Sequence, residues 1–198
     1  IDAVTGVETT GHVWDGDLKE LNKPLPNSLL LDKVRLIFRH GFSLLKLYFI
    51  VGLPDETTGD VEAILELVRE CRAIMLEELA PTGVIGQIHV GANVLVPKPY
   101  TGYQRQPMTA VPVLKERIAM LKRGVAALPN VSIGSMSVRE AVWQTYLSKG
   151  GSEIGEAIER RARGEGLSAL LRSLEPAIET EVFGYFGDDL RWQFMRSA

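Results

Sequence analysis

The chain has 198 residues, 45% apolar and 24% charged, an ordinary globular composition with room for one large domain or two small ones. A net charge of −3 gives no overall attraction to nucleic acid or anionic membranes, and no apolar run reaches the roughly 18–20 residues that span a bilayer. The single cysteine, Cys71, excludes an internal disulfide and any CxxC-type metal site; with no secretory signal legible at the start, the expected location is cytoplasmic.

Residues 1–8 read as a short strand ending at Gly6-Val7-Glu8, and the chain opens as if already inside that strand, without Met. A fragment of a longer polypeptide is therefore expected. Residues 9–28, with Thr-Thr-Gly, Asp-Gly, Lys-Pro and Pro-Asn, read as a polar loop. Asp32–His40 is predicted helical, with Leu31, Val34, Ile37 and Phe38 on one side and Gly41 as its stop. Leu44–Val51 is apolar and rich in aromatic and β-branched residues, and Gly52-Leu53-Pro54-Asp55-Glu56 follows at once. That pattern predicts a buried parallel strand with a charged turn at its carboxyl end.

Thr57 and Asp60 have capping-box spacing, and Val61, Ile64, Leu65, Val68, Met75 and Leu79 recur at helical intervals to about Leu79. Ile88–Val96 reads as a third strand. Pro97-Lys98-Pro99 then forces a loop. From Val111 the pattern is helical. Leu114, Ile118, Leu121, Val125 and Leu128 form an apolar seam, Val131–Ile133 is a short extended piece, and Ser137-x-x-Glu140 opens another helix. Segments Glu153–Arg163 and Leu167–Leu174 are predicted helical, and the aromatic tail Glu179–Ala198 should pack on something.

Strands alternating with helices predict parallel βαβ units, with Glu8, Gly52–Glu56 and Lys98 following three strands at one rim. Ligands of β/α proteins bind at that rim. Three strands cannot close a barrel, and the helical C-terminal half is expected to supply no more, so the missing strands are placed before Ile1. The fold class is thus α/β, with parallel strands over residues 1–110 and a mainly helical extension over 111–198; a partial, open β/α barrel over 1–110 is what the family resemblance below implies.

Lys46-Leu47-Tyr48-Phe49-Ile50-Val51-Gly52-Leu53-Pro54-Asp55-Glu56-Thr57, with Val96-Pro97-Lys98-Pro99-Tyr100-Thr101 downstream, closely resembles radical S-adenosylmethionine proteins. The similarity is to iron–sulfur oxidoreductases that often carry a cobalamin-binding-like domain. Gly6-Val7-Glu8-Thr9 and Leu21-Asn22-Lys23-Pro24 also match that pattern, and the resemblance covers about residues 1–135. It implies a six-stranded partial barrel, of which this chain would hold strands four to six. It also implies a [4Fe–4S] cluster on a CxxxCxxC loop and reductive cleavage of S-adenosylmethionine. The departure is that this loop is absent, since Cys71 cannot replace three thiolates. The parent would therefore use S-adenosylmethionine and the cluster, while this segment alone is expected to bind neither and to be inactive.

The resemblance assigns cofactor contacts to Glu8 (ribose or amino group), Ile50, Val94 and Val96 (adenine side), and Gly52, Pro54 and Glu56 (close approach at the turn). Lys46 and Lys98 would meet a carboxylate. Ordinary alternatives stand beside each: a polar loop residue for Glu8, a plain strand-to-helix turn for Gly52–Glu56, a snorkelling Lys46 and a solvent-facing Lys98. Catalytic residues are not assigned, and His12, His40 and His89 have no metal-site spacing. Arg160, Arg161, Arg163 and Arg172 read as a solvated helix surface. The partners expected are a small-molecule cofactor and a substrate of unknown identity, with no nucleic acid or membrane, and an exposed sheet edge suited to homodimerisation. The alternatives are a non-catalytic scaffold module and an RNA-modifying, methylthiotransferase-like enzyme.

Overall fold

The computed structural model describes residues 26–185. They fall into two compact units. One comprises the described residues up to Asn93 together with Lys115–Ser135; the other comprises Val94–Leu114 and those from Met136 onward.

The first unit opens with α1 (Asn27–Arg39), which buries Leu30, Val34, Ile37 and Phe38. Gly41, at φ 84°, ends it: Gly41 N–H bonds Phe38 C=O and Phe42 N–H bonds Ile37 C=O, a left-handed stop that glycine makes without strain. Strand β1 (Leu44–Val51) follows with the bounds its sequence predicts. Helix α2 (Thr58–Leu79) starts in a complete capping box, Thr57 N–H donating to Asp60 Oδ2 at 2.6 Å and Asp60 N–H to Thr57 Oγ1 at 3.4 Å. Thr57→Ala removes one half of that box and is expected to lower stability by about 1 kcal/mol in urea melts; no change would show that the cap is dispensable.

Strand β2 (Gln87–Val94), helix α3 (Val111–Ala126) and strand β3 (Val131–Ser135) complete the order. The sheet runs β1-β2-β3, with β2 parallel to β3 and Gly91 opposite Gly134. Gln87 N–H bonds Ser43 C=O at 2.7 Å and Gly91 lies against Tyr48, so β1 also runs parallel to β2, with Tyr48 level with Gly91. Each strand therefore lies next to its predecessor and points the same way. Crossovers of one hand then bring the helices to the same side.

The core shows which side. Leu45, Leu47, Phe49 and Val51 of β1 and Ile88, Val90 and Ala92 of β2 join one buried cluster with the apolar stripes of α1 and α2 and with Leu121 and Val125 of α3. Each Val, Leu, Ile or Phe side chain among them contributes roughly 1.5–3 kcal/mol on leaving water. Arg35 and Arg39 of α1 bond Glu78 of α2 at the surface, and Arg39 first, then Arg35, holds the Glu78 carboxyl below its usual range.

Several expectations are corrected here. Val131–Ser135 is a parallel strand and not merely an extended piece, so the later part of the chain does supply one. Among the described residues, Leu44–Val51 is an edge of the three strands and β2 is the middle one. Strand β1 is not buried on both faces: its burial alternates residue by residue, as in a sheet covered on one side. β2 ends at Val94, which leaves Val96 in the loop. The strand expected at residues 1–8, Glu8 with it, lies outside the described residues, as do His12 and most of the aromatic tail.

The second unit contains the loop after β2 and four helices: α4 (Val138–Lys149), α5 (Ile154–Ala162), α6 (Leu167–Ser173) and α7 (Glu175–Glu181). Ser137 caps α4 by accepting the Glu140 N–H at 3.2 Å, as its spacing predicts. Arginines in and just past α5 are locally paired, Arg160 with Glu165 and Arg163 with Glu159, which fits a solvated helix surface. Among the described residues no helix is long and apolar enough to cross a membrane.

Candidate functional site

The turn that ends β1 is built around its own glutamate. Gly52, at φ 91°, aims its N–H into the Glu56 carboxylate, 3.0 Å from Oε1 and 2.9 Å from Oε2. Asp55 also takes a left-handed φ of 62°, which folds the chain back over so few residues. Glu56 is fully enclosed, and α3 supplies its counter-charge: Arg117 Nη1 stands 2.7 Å from Oε1, and Arg117 Nη2 donates to the Glu56 backbone C=O. The Nη1 contact is an ion pair and not an aligned hydrogen bond, because its N–H is not directed at the oxygen. Glu56 thus shapes the turn from within, so a direct cofactor contact through its carboxylate, as the resemblance implied, does not fit. Its effect on a ligand would pass through Gly52 and Pro54, whose position it fixes.

The face of the sheet away from the helices carries the other half of the site. Lys46 and Tyr48 are exposed and Ile50 is half-buried, all on the side opposite Leu45, Leu47 and Phe49. On β2 the same face bears His89, Gly91 and Asn93; on β3 it bears Ser132 and Gly134. The cost of a buried lysine therefore does not arise at Lys46. At the next level up, Tyr48 lies across β2 because Gly91 has no side chain: a Cβ there would come within 2.7 Å of the ring. His89 Nδ1 shares a 3.0 Å hydrogen bond with Ser132 Oγ, and its ring lies over Gly134. The open face is thus layered, polar at Lys46, His89 and Ser132, then a tyrosine beside two glycines, then Ile50 and Asn93 nearest the turn.

Ile50, Gly52, Pro54 and Glu56 lie at the carboxyl end of β1 in the first unit, whereas Lys46 stands on the same open face near the other end of that strand. Val94 belongs elsewhere: it is 4% exposed and shares the buried side of β2 with Ile88, Val90 and Ala92, so it cannot line the open face. Val96 is half-buried and Lys98 exposed in the loop of the second unit; Lys98 C=O accepts the Thr101 hydroxyl at 2.7 Å.

Tyr48, His89 and Asn93 were not among the residues assigned from sequence. Their alternation with buried neighbours is a signal legible to period-two counting along β1 and β2. Arg117 leaves no such trace, being 61 residues from the carboxylate it serves.

Cys71 is fully buried in α2, and burial, with Glu70 adding to it, pushes its thiol up to about 12. A thiol so enclosed in the core is out of reach of a metal ion. Among the described residues no group of three or more His, Cys, Asp or Glu side chains could hold a metal ion.

A family model for the N-terminal domain of cytochrome oxidase-cbb3, FixP, matches residues 6–32. The cbb3-type cytochrome c oxidase subunit CcoP of Azospirillum brasilense is 76% identical over 25 residues, 13% of this chain and 8% of that one. Subunit FixP of Sinorhizobium medicae is 69% identical over 26 residues, 13% of this chain and 9% of its own. An uncharacterized protein of Methanocaldococcus jannaschii is 18% identical over 173 residues, 87% of this chain. The chain spans 36% of that relative's length. No solved structure matches.

Proposed function

We propose that residues 44–135 are the later part of a radical S-adenosylmethionine β/α barrel, and that the exposed sheet face and the Gly52–Glu56 turn form part of the wall that holds the cofactor in a longer parent enzyme. The observation that carries this reading is the placement of the Lys46–Thr57 string: its turn stands at the carboxyl end of β1, and Lys46 and Ile50 lie on the face that the helices leave open. A singly wound parallel order with helices on one side supports a barrel, since the open face is then the interior.

Within that wall, Gly52 and Pro54 would let an adenosyl group approach the backbone, Ile50 would offer apolar contact, and Lys46 would meet a carboxylate. The iron–sulfur cluster does not fit this chain, which has one cysteine and that one buried, and no step through it is derived. Gly6-Val7-Glu8 and Leu21-Asn22-Lys23-Pro24 carry no part of this proposal, because residues 6–32 match the FixP model.

That match supports a second reading for the same stretch alone. Residues 6–32 would be a FixP-like segment, of the kind found in cbb3 oxidase subunits, joined to a β/α unit of separate origin.

The test is the gene. The reading frame upstream should encode Cys-x-x-x-Cys-x-x-Cys about 100 or more residues before Ile1, by the length of barrel units. The longer protein, reconstituted anaerobically, should hold iron and release 5′-deoxyadenosine, whereas the 198-residue chain should do neither. An upstream frame without those cysteines, or a longer protein that releases no 5′-deoxyadenosine, would overturn the enzyme reading and leave the scaffold module.

A further inference from the structure

Lys149 ends α4 with a fully buried side chain. Burying an ammonium costs several kcal/mol unless acceptors surround it, so its partners reveal what it holds. Nζ donates to Gln106 C=O at 3.0 Å and to Gly184 C=O at 3.5 Å. Gln106 lies in the loop after β2, and Gly184 lies just past α7.

Other contacts tie the same three segments. Met108 N–H donates to Val182 C=O at 2.9 Å, and the Thr145 hydroxyl of α4 reaches Met108 Sδ at 3.4 Å and Ala141 C=O at 2.9 Å. Glu181 of α7, itself buried, lies within the field of Lys149. Between Val94 and Val111 the chain has no helix or strand, and its internal bonds are short-range turns such as Gln106 N–H to Tyr103 C=O. A loop of this length without regular structure is held chiefly by its attachments.

We infer that Lys149 is a clamp: its ammonium pins the loop carrying Lys98 to α4 and to the end of α7, so that the C-terminal helices hold this loop in a single conformation. The helical extension is on this account a brace for the loop and not an appended module. The inference does not depend on the cofactor reading. Lys149 is a positioning residue, since it acts through the backbone of Gln106.

Trypsin reports on this directly in the full chain. Lys98 precedes Pro99, which trypsin spares, but Arg105–Gln106 is a cleavable bond beside the clamped carbonyl. Lys149→Met should speed cleavage at Arg105–Gln106 by about tenfold, the signature of local opening. Amide hydrogen exchange should rise in residues 102–108 and stay unchanged within α4. Where the single variant fails to fold, Lys149→Met/Glu181→Leu decides: it replaces both buried charges by apolar groups, which folds tolerate, while still removing the clamp. Unchanged cleavage at Arg105–Gln106 in that double variant, or protection lost evenly across loop, α4 and α7, would overturn the clamp.

Discussion

Arg117→Leu is expected to remove about 3–5 kcal/mol of unfolding free energy, because it leaves the Glu56 carboxylate buried without its cation. The Gly52 N–H is a neutral donor and does not replace the lost cation. The effect is a broken pairing and not a measure of what the pair contributes. Glu56→Leu/Arg117→Leu should therefore recover much of the loss, although the Gly52 N–H then needs another acceptor. Urea unfolding of the three variants at pH 7 checks this. A loss below about 1 kcal/mol for Arg117→Leu would show that water or another group reaches Glu56, and the turn would then not be the rigid wall described above.

Stability should rise with pH between about 8 and 9.5, by about 1 kcal/mol, and Lys149 should be the source. Burial lowers its pKa from 10.5 to about 8, with Glu181 opposing the shift. The folded chain therefore binds fewer protons than the unfolded chain across that window, so raising the pH favours folding. Below about pH 7 both states are protonated and the contribution is flat. Tyr146 works in the other direction. Burial, then Glu153, Glu181 and Glu156, raise its pKa above 10, so its ionisation penalises the folded state at higher pH. The measurement is the slope of unfolding free energy from pH 8 to 9.5, with Lys149→Met as reference. Equal slopes in the two proteins would remove Lys149 as the cause.

Much of the architecture is legible because it rests on local rules. The bounds of β1, the box at Thr57 and Asp60, the stripe of α2 and the stop at Gly41 all depend on residues within a few positions of each other. The helical seam through Leu114, Ile118, Leu121 and Val125 is buried throughout for the same reason. Burial of β1 on two faces was misread because five of its eight residues are aliphatic, Leu or β-branched, with Tyr48 and Phe49 between them, which hides the alternation. Strand β3 was missed because Val-Ser-Ile-Gly-Ser is too short and too polar to announce itself. Its identity comes from pairing with β2, a fact about distant residues.

The site divides along the same line. That Gly52, Pro54 and Glu56 form one turn follows from their spacing. That the carboxylate of Glu56 faces inward does not, since its counter-ion comes from another helix. Val94 is placed on the adenine side by the resemblance alone, whereas alternation along β2 puts it with Ile88, Val90 and Ala92 on the buried face.

The pairing of Glu56 with Arg117 also orders events during synthesis. Glu56 leaves the ribosome 61 residues ahead of the guanidinium that neutralises it. Until then its carboxylate is better off hydrated than enclosed, so the turn is completed by a part of the chain that does not yet exist when the turn is made. A shortened version of the first unit that ends at β2 would contain every residue of the motif and still lack the charge that closes it.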